Sequence, residues 1–360
     1  MIADPLADFL SQLGRSSVQA SVLAIVIWLV CRVLGTHLSA RWRCRLWFLV
    51  IVRLALPFSL PSPVSIFNLI AAPQRLAQPE AVTFWLPEEL SIQAIRWLEQ
   101  PWVCWTWLGV AIALLLRVLA GWLWTVWLRY NARPLDSWEA WWLLNKCKEV
   151  TGLETPVAIL ESSKIRSPCL LGFFQPRLLL PVGLLKELSS DELRLVFLHE
   201  LAHLQRRDIA LNWLLAAVET LHWFNPLAWL VTRSLRADRE EACDACALAA
   251  QPEAHRMYGE TLIKILERVG GETPPIASPA VAGLLGNAQD DDLEPLIHRM
   301  RAIATYRHDS RTWVVGFCTW LALACVGLTD AEPRPVPEGT EVPVAVHSMP
   351  PPDAAVVVLG

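Results

Sequence analysis

Charge is scarce in this 360-residue chain: Asp, Glu, Lys and Arg together make up 18% of it, against roughly 25% in an average soluble protein. With 54% apolar residues, the chain does not have the composition that keeps a protein disordered throughout. A surplus of positive charge is also missing. The 31 Lys and Arg are outnumbered by 35 Asp and Glu, for a net charge of −4, so no electrostatic footprint for direct nucleic-acid binding is present. A disulfide framework is lacking as well, because the nine cysteines are scattered, mostly in apolar runs or on what reads below as the reducing side. Cys243 and Cys246 form a lone C-x-x-C, and no second pair completes a zinc ribbon. Tryptophan, by contrast, is abundant: the 19 residues are of the type that favours membrane–water boundaries.

Apolar runs long enough to cross a bilayer, which takes about 20 helical residues, lie at 17–34, 46–60 and 102–128, with a fourth at 312–329. In the third, Trp102, Trp105 and Trp107 mark one end and Trp122, Trp124 and Trp127 the other. The rise from Trp105 to Trp124 is about 28 Å, close to the hydrocarbon thickness. Arg32, Arg41, Arg43 and Arg45 separate the first two runs without an acid, whereas the loop 61–100 holds more Glu than Arg. Basic residues mark the cytoplasmic side, so the first connection is expected inside and loop 61–100 outside. Arg129 and Arg133 follow the third run, and Arg299, Arg301, Arg307 and Arg311 precede the fourth. Residues 129–311 are therefore expected in the cytoplasm and both termini outside. The start of the chain is acidic and no A-x-A cleavage site follows the first run, so that run is expected to remain as an anchor.

Within 129–311, residues 135–151 read as an amphipathic helix and 156–161 and 177–180 as short strands bracketed by Pro and Gly. Ser189 and Glu192 form a capping box at the start of a helix. That helix carries His199-Glu200-Leu201-Ala202-His203. Histidines four residues apart share one helical face, so their imidazoles can meet one Zn²⁺, and the glutamate between them can act on the water of that metal. A catalytic zinc takes three protein ligands and keeps one position open. The best third ligand is Glu240. Asp244, four residues on, shares its face and can accept the second imidazole proton of a ligand histidine. Glu241 competes by adjacency, but only the Glu240/Asp244 pair gives two inward carboxylates. Tyr258, His298, Arg307 and His308 stand unranked as oxyanion donors.

Between these motifs, 209–231 is apolar enough for a fifth crossing. One crossing would put His203 and Glu240 on opposite sides of the membrane. The segment is therefore expected to be re-entrant or packed in the zinc domain, broken at Asn225-Pro226, where proline ends one helix and starts the next. Arg177, Leu178, Leu179 and Leu180 could align substrate as an edge strand. An interior hydrophobic strand fits the same residues equally well.

Ser167-Pro168, Gly172, Pro176 and Pro181, the Leu198–His203 run, Arg206-Arg207-Asp208, Phe224-Asn225-Pro226 and Glu240 through Asp244 together resemble the BlaR/MecR-type integral-membrane zinc metallopeptidases. The resemblance implies a mainly α membrane protein with four spans and a cytoplasmic gluzincin-like α+β domain between the third and fourth. It also implies zinc on His199, His203 and Glu240, with Glu200 as catalytic base. The implied setting is a bacterial inner membrane, and the implied partner is a cytoplasmic winged-helix repressor inactivated by cleavage. An external penicillin-binding domain with S-x-x-K is characteristic of such sensors. No S-x-x-K occurs here, and 330–360 reads as a Pro-rich external tail. The competing expectations are a non-catalytic signalling scaffold with a structural zinc and, from Arg117 inside the third run, a transporter.

Overall fold

The computed structural model describes residues 3–34, 37–56, 62, 65–66, 100–269, 281–283, 293–306 and 312–330. Most of loop 61–100, the tail beyond Asp330, and Arg307 and His308 lie outside the described residues. The fold is mainly helical with one small sheet. Helices α1 (Ala3–Leu34) and α3 (Pro101–Asn131) are long and apolar enough to cross a membrane. Helix α2 (Ala40–Ala55) and the last helix (Thr312–Gly327) have 16 residues each.

The second apolar run, expected at 46–60, is helical from Ala40 to Ala55 instead. The helix extends through the arginine cluster because those cations find partners: Arg43 pairs with Asp238 at 2.7 Å and Glu241 at 2.6 Å. At its other end the buried Arg53 pairs with Asp330 at 2.9 Å. Ile27, Leu46, Leu49 and Ile51 form one core with Leu215, Val218, Val231 and Leu235, whose segment is described next.

That segment is 209–231, and it is a helical hairpin. Its arms are long: after the helix that carries the histidines comes Asp208–Leu221, and after a turn comes Pro226–Ala250. The Asn225 side chain accepts the N–H of Leu227 at 2.9 Å, a cap that starts the second arm. Its amide donates to Ser17 Oγ at 2.7 Å and Ser21 Oγ at 3.0 Å on α1. His222 donates from Nε2 to the Leu54 carbonyl at 3.1 Å, and the Trp107 indole to the Leu221 carbonyl at 3.2 Å. The tip is thus fastened to α1, α2 and α3 by polar groups that would otherwise be buried without partners.

The sheet holds β1 (Arg133–Pro134), β2 (Ala158–Ser162), β3 (Cys169–Leu171), β4 (Arg177–Pro181) and β5 (Val281–Gly283), in the order β1-β2-β4-β3-β5. Strand β4 runs parallel to β2 and antiparallel to β3. Both of its edges are paired, which corrects the expectation that Arg177–Leu180 offers a free edge to substrate. The physical reason is visible in its side chains, since a strand buried on both faces reads as continuously apolar. Leu178 and Leu180 pack with Val196 and Phe197, while Leu179 packs with Leu128, Leu160 and Leu171. The β3–β4 turn depends on Gly172 at φ +86°, where an added Cβ would lie 2.7 Å from the Gln175 carbonyl oxygen.

The remaining helices are α4 (Trp138–Thr151), which precedes β2, and α5 (Leu184–Glu187) and α6 (Ser190–Gln205), which follow β4. The hairpin arms are α7 (Asp208–Leu221) and α8 (Pro226–Ala250), followed by α9 (His255–Val269), α10 (Leu293–Ala304) and α11 (Thr312–Gly327). Replacing Asn225 by Ala removes one cap, worth about 1 kcal/mol, and buried hydrogen bonds worth about 1 kcal/mol each. The expected loss is about 2–3 kcal/mol, read as a lower unfolding midpoint of the detergent-solubilised chain.

Candidate metal centre

Helix α6 begins with the capping box legible in the sequence: Glu192 accepts the Ser189 N–H at 2.8 Å, and Ser189 Oγ accepts the Glu192 N–H at 3.3 Å. One face of this helix then presents His199 and His203, both fully buried, with ring centroids 4.9 Å apart. Helix α8, returning from the hairpin, brings Glu240 opposite them. Its Oε2 lies 3.6 Å from His199 Nε2 and 3.9 Å from His203 Nε2. Among the described residues, both Nε2 atoms and both Glu240 oxygens are buried without a hydrogen-bond partner, an arrangement that is costly unless a cation binds there.

The donor set fits a divalent metal. A tetrahedral zinc with bonds of about 2.0–2.2 Å spaces its ligands by roughly 3.3–3.6 Å, close to the separations found. The opposite ring nitrogens are held by carboxylates. His199 Nδ1 is 3.0 Å from Asp244 Oδ1 and 2.9 Å from the Tyr258 hydroxyl, which donates to Asp244 at 2.7 Å. His203 Nδ1 is 2.7 Å from Asp208 Oδ2. A neutral ring that donates its Nδ1–H to a carboxylate carries its lone pair on Nε2, toward Glu240, which is the tautomer a metal requires. Glu200, Asp208, Glu240 and Asp244 are four buried carboxylates beside two buried arginines, Arg239 and Arg299, an excess of negative charge that a divalent cation would neutralise.

Asp208 reaches His203 because Arg207, at φ +58°, turns the chain between α6 and α7. The sequence reading attached no role to Asp208; its signal was a carboxylate just past the second histidine. Arg299 was also missed as a site residue. From α10 it donates to Asp244 at 2.8 and 2.9 Å and stands 3.7 Å from Glu240. Arg239 lies 3.6 Å from Glu240 and 3.8 Å from Asp208. Glu241, the alternative third ligand, turns instead to Arg43 and His298, at 2.6 and 3.3 Å. Of the oxyanion candidates, Tyr258 is buried against Asp244 and His298 faces Glu241.

A second group with metal-like spacing, His203, Asp208 and Cys243, shares the same histidine. It would need the Nδ1 already bound to Asp208, and burial pushes the Cys243 thiol well up, away from the thiolate a metal binds. Cys246 faces Arg41 at 3.2 Å, and none of the nine cysteines is joined in a disulfide. Glu200 is fully buried, and burial first, then the charge of the Glu200 carboxylate, raises the Cys169 thiol on β3. Beside β3 lies β5, paired antiparallel with it through Cys169 and Gly283, Leu170 and Ala282, and Leu171 and Val281.

A helix with two histidines, a facing glutamate and two carboxylates behind the imidazoles make up a candidate metal centre beside the sheet. The chain belongs to the BlaR1 peptidase M56 family, whose model matches residues 11–285. It is similar to the regulatory protein BlaR1 of Bacillus licheniformis, with 32% identity over 158 residues, which is 44% of this chain and 26% of that protein. It is also similar to the methicillin resistance mecR1 proteins of Staphylococcus aureus and Staphylococcus epidermidis, each 28% identical over 109 residues, 30% of this chain and 19% of theirs. The chain thus spans about a quarter or less of the length of these curated relatives.

Burial opposes charging of His199, but Asp244 and Glu240 more than offset it and hold its pKa up at about 9 without metal. Burial would raise Glu240, yet His203, His199, Arg299 and Arg239 hold it at about 2. The His199 proton therefore stabilises the metal-free fold fully below its ordinary value near 6.5, and this contribution is lost as pH rises to about 9. Melting of chelator-treated protein should fall across that window. Zinc affinity should rise across it, because metal competes with the same proton.

Proposed function

We propose that the chain is a membrane-embedded, zinc-dependent endopeptidase acting on a cytoplasmic or juxtamembrane protein. The carrying observation is the set of buried, partnerless donors of His199, His203 and Glu240 beside Glu200. In this reading the three residues hold zinc, Asp244 and Asp208 orient the imidazoles, and Glu200 is the catalytic base. When bound, zinc supplies a Lewis acid for the scissile carbonyl and acidifies the attacking water. Glu200 takes a proton from that water and returns it to the leaving amide nitrogen, so the carboxylate ends as it began.

Substrate alignment is assigned to β3 rather than β4. The pairing of β5 supports this, because an extended backbone lies along β3, a strand next to the helix that carries Glu200. A foreign substrate would displace residues 281–283. Winged-helix repressor inactivation is the regulatory setting carried over from the family resemblance.

For topology, we assign α1, α2, α3 and α11 as crossings, residues 129–311 to the cytoplasm and both termini to the outside of a bacterial inner membrane. Trp102, Trp105, Leu115, Leu116, Trp122 and Leu123 are exposed along α3, as a lipid-facing surface requires. Hairpin α7–α8 enters the membrane from the cytoplasmic side and returns. Exposed Trp213, Phe224, Trp229 and Leu230 on it support that assignment.

Exchanging Glu200 for Gln should leave zinc bound at wild-type stoichiometry while cleavage falls at least about 10²-fold. The comparison is made by looking for new cytoplasmic N-termini in cells carrying each form, alongside metal analysis of the purified proteins. Undiminished cleavage by the variant would contradict the mechanism.

A further inference from the structure

Helix α10 enters the metal centre from outside the elements that carry its ligands. Arg299 is 6% exposed, and its guanidinium meets Asp244 through two parallel hydrogen bonds, Nε to Oδ2 at 2.9 Å and Nη2 to Oδ1 at 2.8 Å. The third nitrogen, Nη1, stands 3.7 Å from Glu240 Oε2. One cation therefore addresses both the carboxylate that orients His199 and the carboxylate that faces the two Nε2 atoms. The rest of α10 is fitted around this contact: Met300 packs on Gly259, where an added Cβ would lie 3.5 Å from its Cε, and Ile303 is buried in the core beside α6.

We propose that Arg299 is a positioning residue for the metal centre, so that the centre reaches binding geometry only with α10 seated. This inference rests on the reading of His199, His203 and Glu240 as metal ligands. Asp244 accepts the His199 Nδ1–H in a buried place, and a buried carboxylate oriented this way needs an opposing charge fixed beside it. A planar fork supplies both the charge and the orientation; an ammonium supplies the charge alone. The arginine thus sets the direction of the Asp244 oxygens, through them the ring plane of His199, and limits the swing of Glu240. Because α10 lies in sequence between residues 270–292 and the final apolar helix α11, the seating of a segment outside the H-E-x-x-H helix governs the metal site.

The test uses the full chain in lipid nanodiscs, comparing wild type with Arg299→Lys, Arg299→Met, and the charge-neutral pair Asp244→Asn with Arg299→Met. Zinc affinity is read by chelator competition and ligand geometry by the visible absorption of the cobalt-loaded forms. Loss of such supporting contacts costs about 10–100-fold in metal affinity. Arg299→Lys should melt like wild type yet bind zinc about tenfold more weakly. Arg299→Met should lose more affinity and melt lower. The double variant, with no lone buried carboxylate, should regain melting temperature while its affinity stays at least about tenfold down and its cobalt spectrum stays altered. Wild-type affinity and an unchanged cobalt spectrum in whichever variants fold would overturn the role of Arg299. Failure of the wild-type chain itself to bind zinc would instead overturn the ligand assignment on which the role rests.

Discussion

Two imidazole nitrogens and a carboxylate that must face one another across less than 4 Å impose a condition on the whole chain. His203 and Glu240 are separated in sequence by an apolar stretch that has the composition of a membrane crossing, and a crossing would carry them apart. The chain turns back instead. Asn225 serves as a helix cap and as a donor to Ser17 and Ser21, so the reversal is fixed at its tip by polar contacts and along its arms by Leu215, Val218, Val231 and Leu235. Arg43 then ties α2 to Asp238 and Glu241, the residues flanking Arg239 and Glu240. The apolar helices and the candidate metal ligands are consequently one packed body rather than an anchor with a domain attached.

Around the ligands, charge is arranged so that no group is isolated. Isolated buried carboxylates protonate or destabilise the fold, and here each has a defined counterpart: Asp244 has Arg299, Asp208 has His203 and Arg239, and Glu240 lies between the imidazoles and both arginines. The histidines gain a fixed tautomer from this arrangement.

Much of this was legible in the sequence wherever local spacing dictates geometry. The four-residue interval of His199 and His203 puts them on one face of any helix, the Ser189/Glu192 capping box starts that helix, and Pro226 marks the turn of the hairpin. The interval from Glu240 to Asp244 likewise distinguished Glu240 from Glu241 before any distance was known. What escaped the sequence depends on contacts between distant elements. Arg299 lies 55 residues beyond Asp244 on a helix with no local mark of its destination. The start of α2 in an arginine cluster follows from acids on α8, and 177–180 has the same apolar run whether a strand lies at an edge or, as here, between two neighbours.

X-ray absorption at the zinc edge of the purified full-length chain tests the central claim most directly. The account predicts one zinc per chain with two imidazole nitrogens and carboxylate and water oxygens about 2.0–2.2 Å away, and no sulfur. A sulfur ligand near 2.3 Å, as the His203, Asp208 and Cys243 group would give, or a chain that retains no zinc, would contradict it.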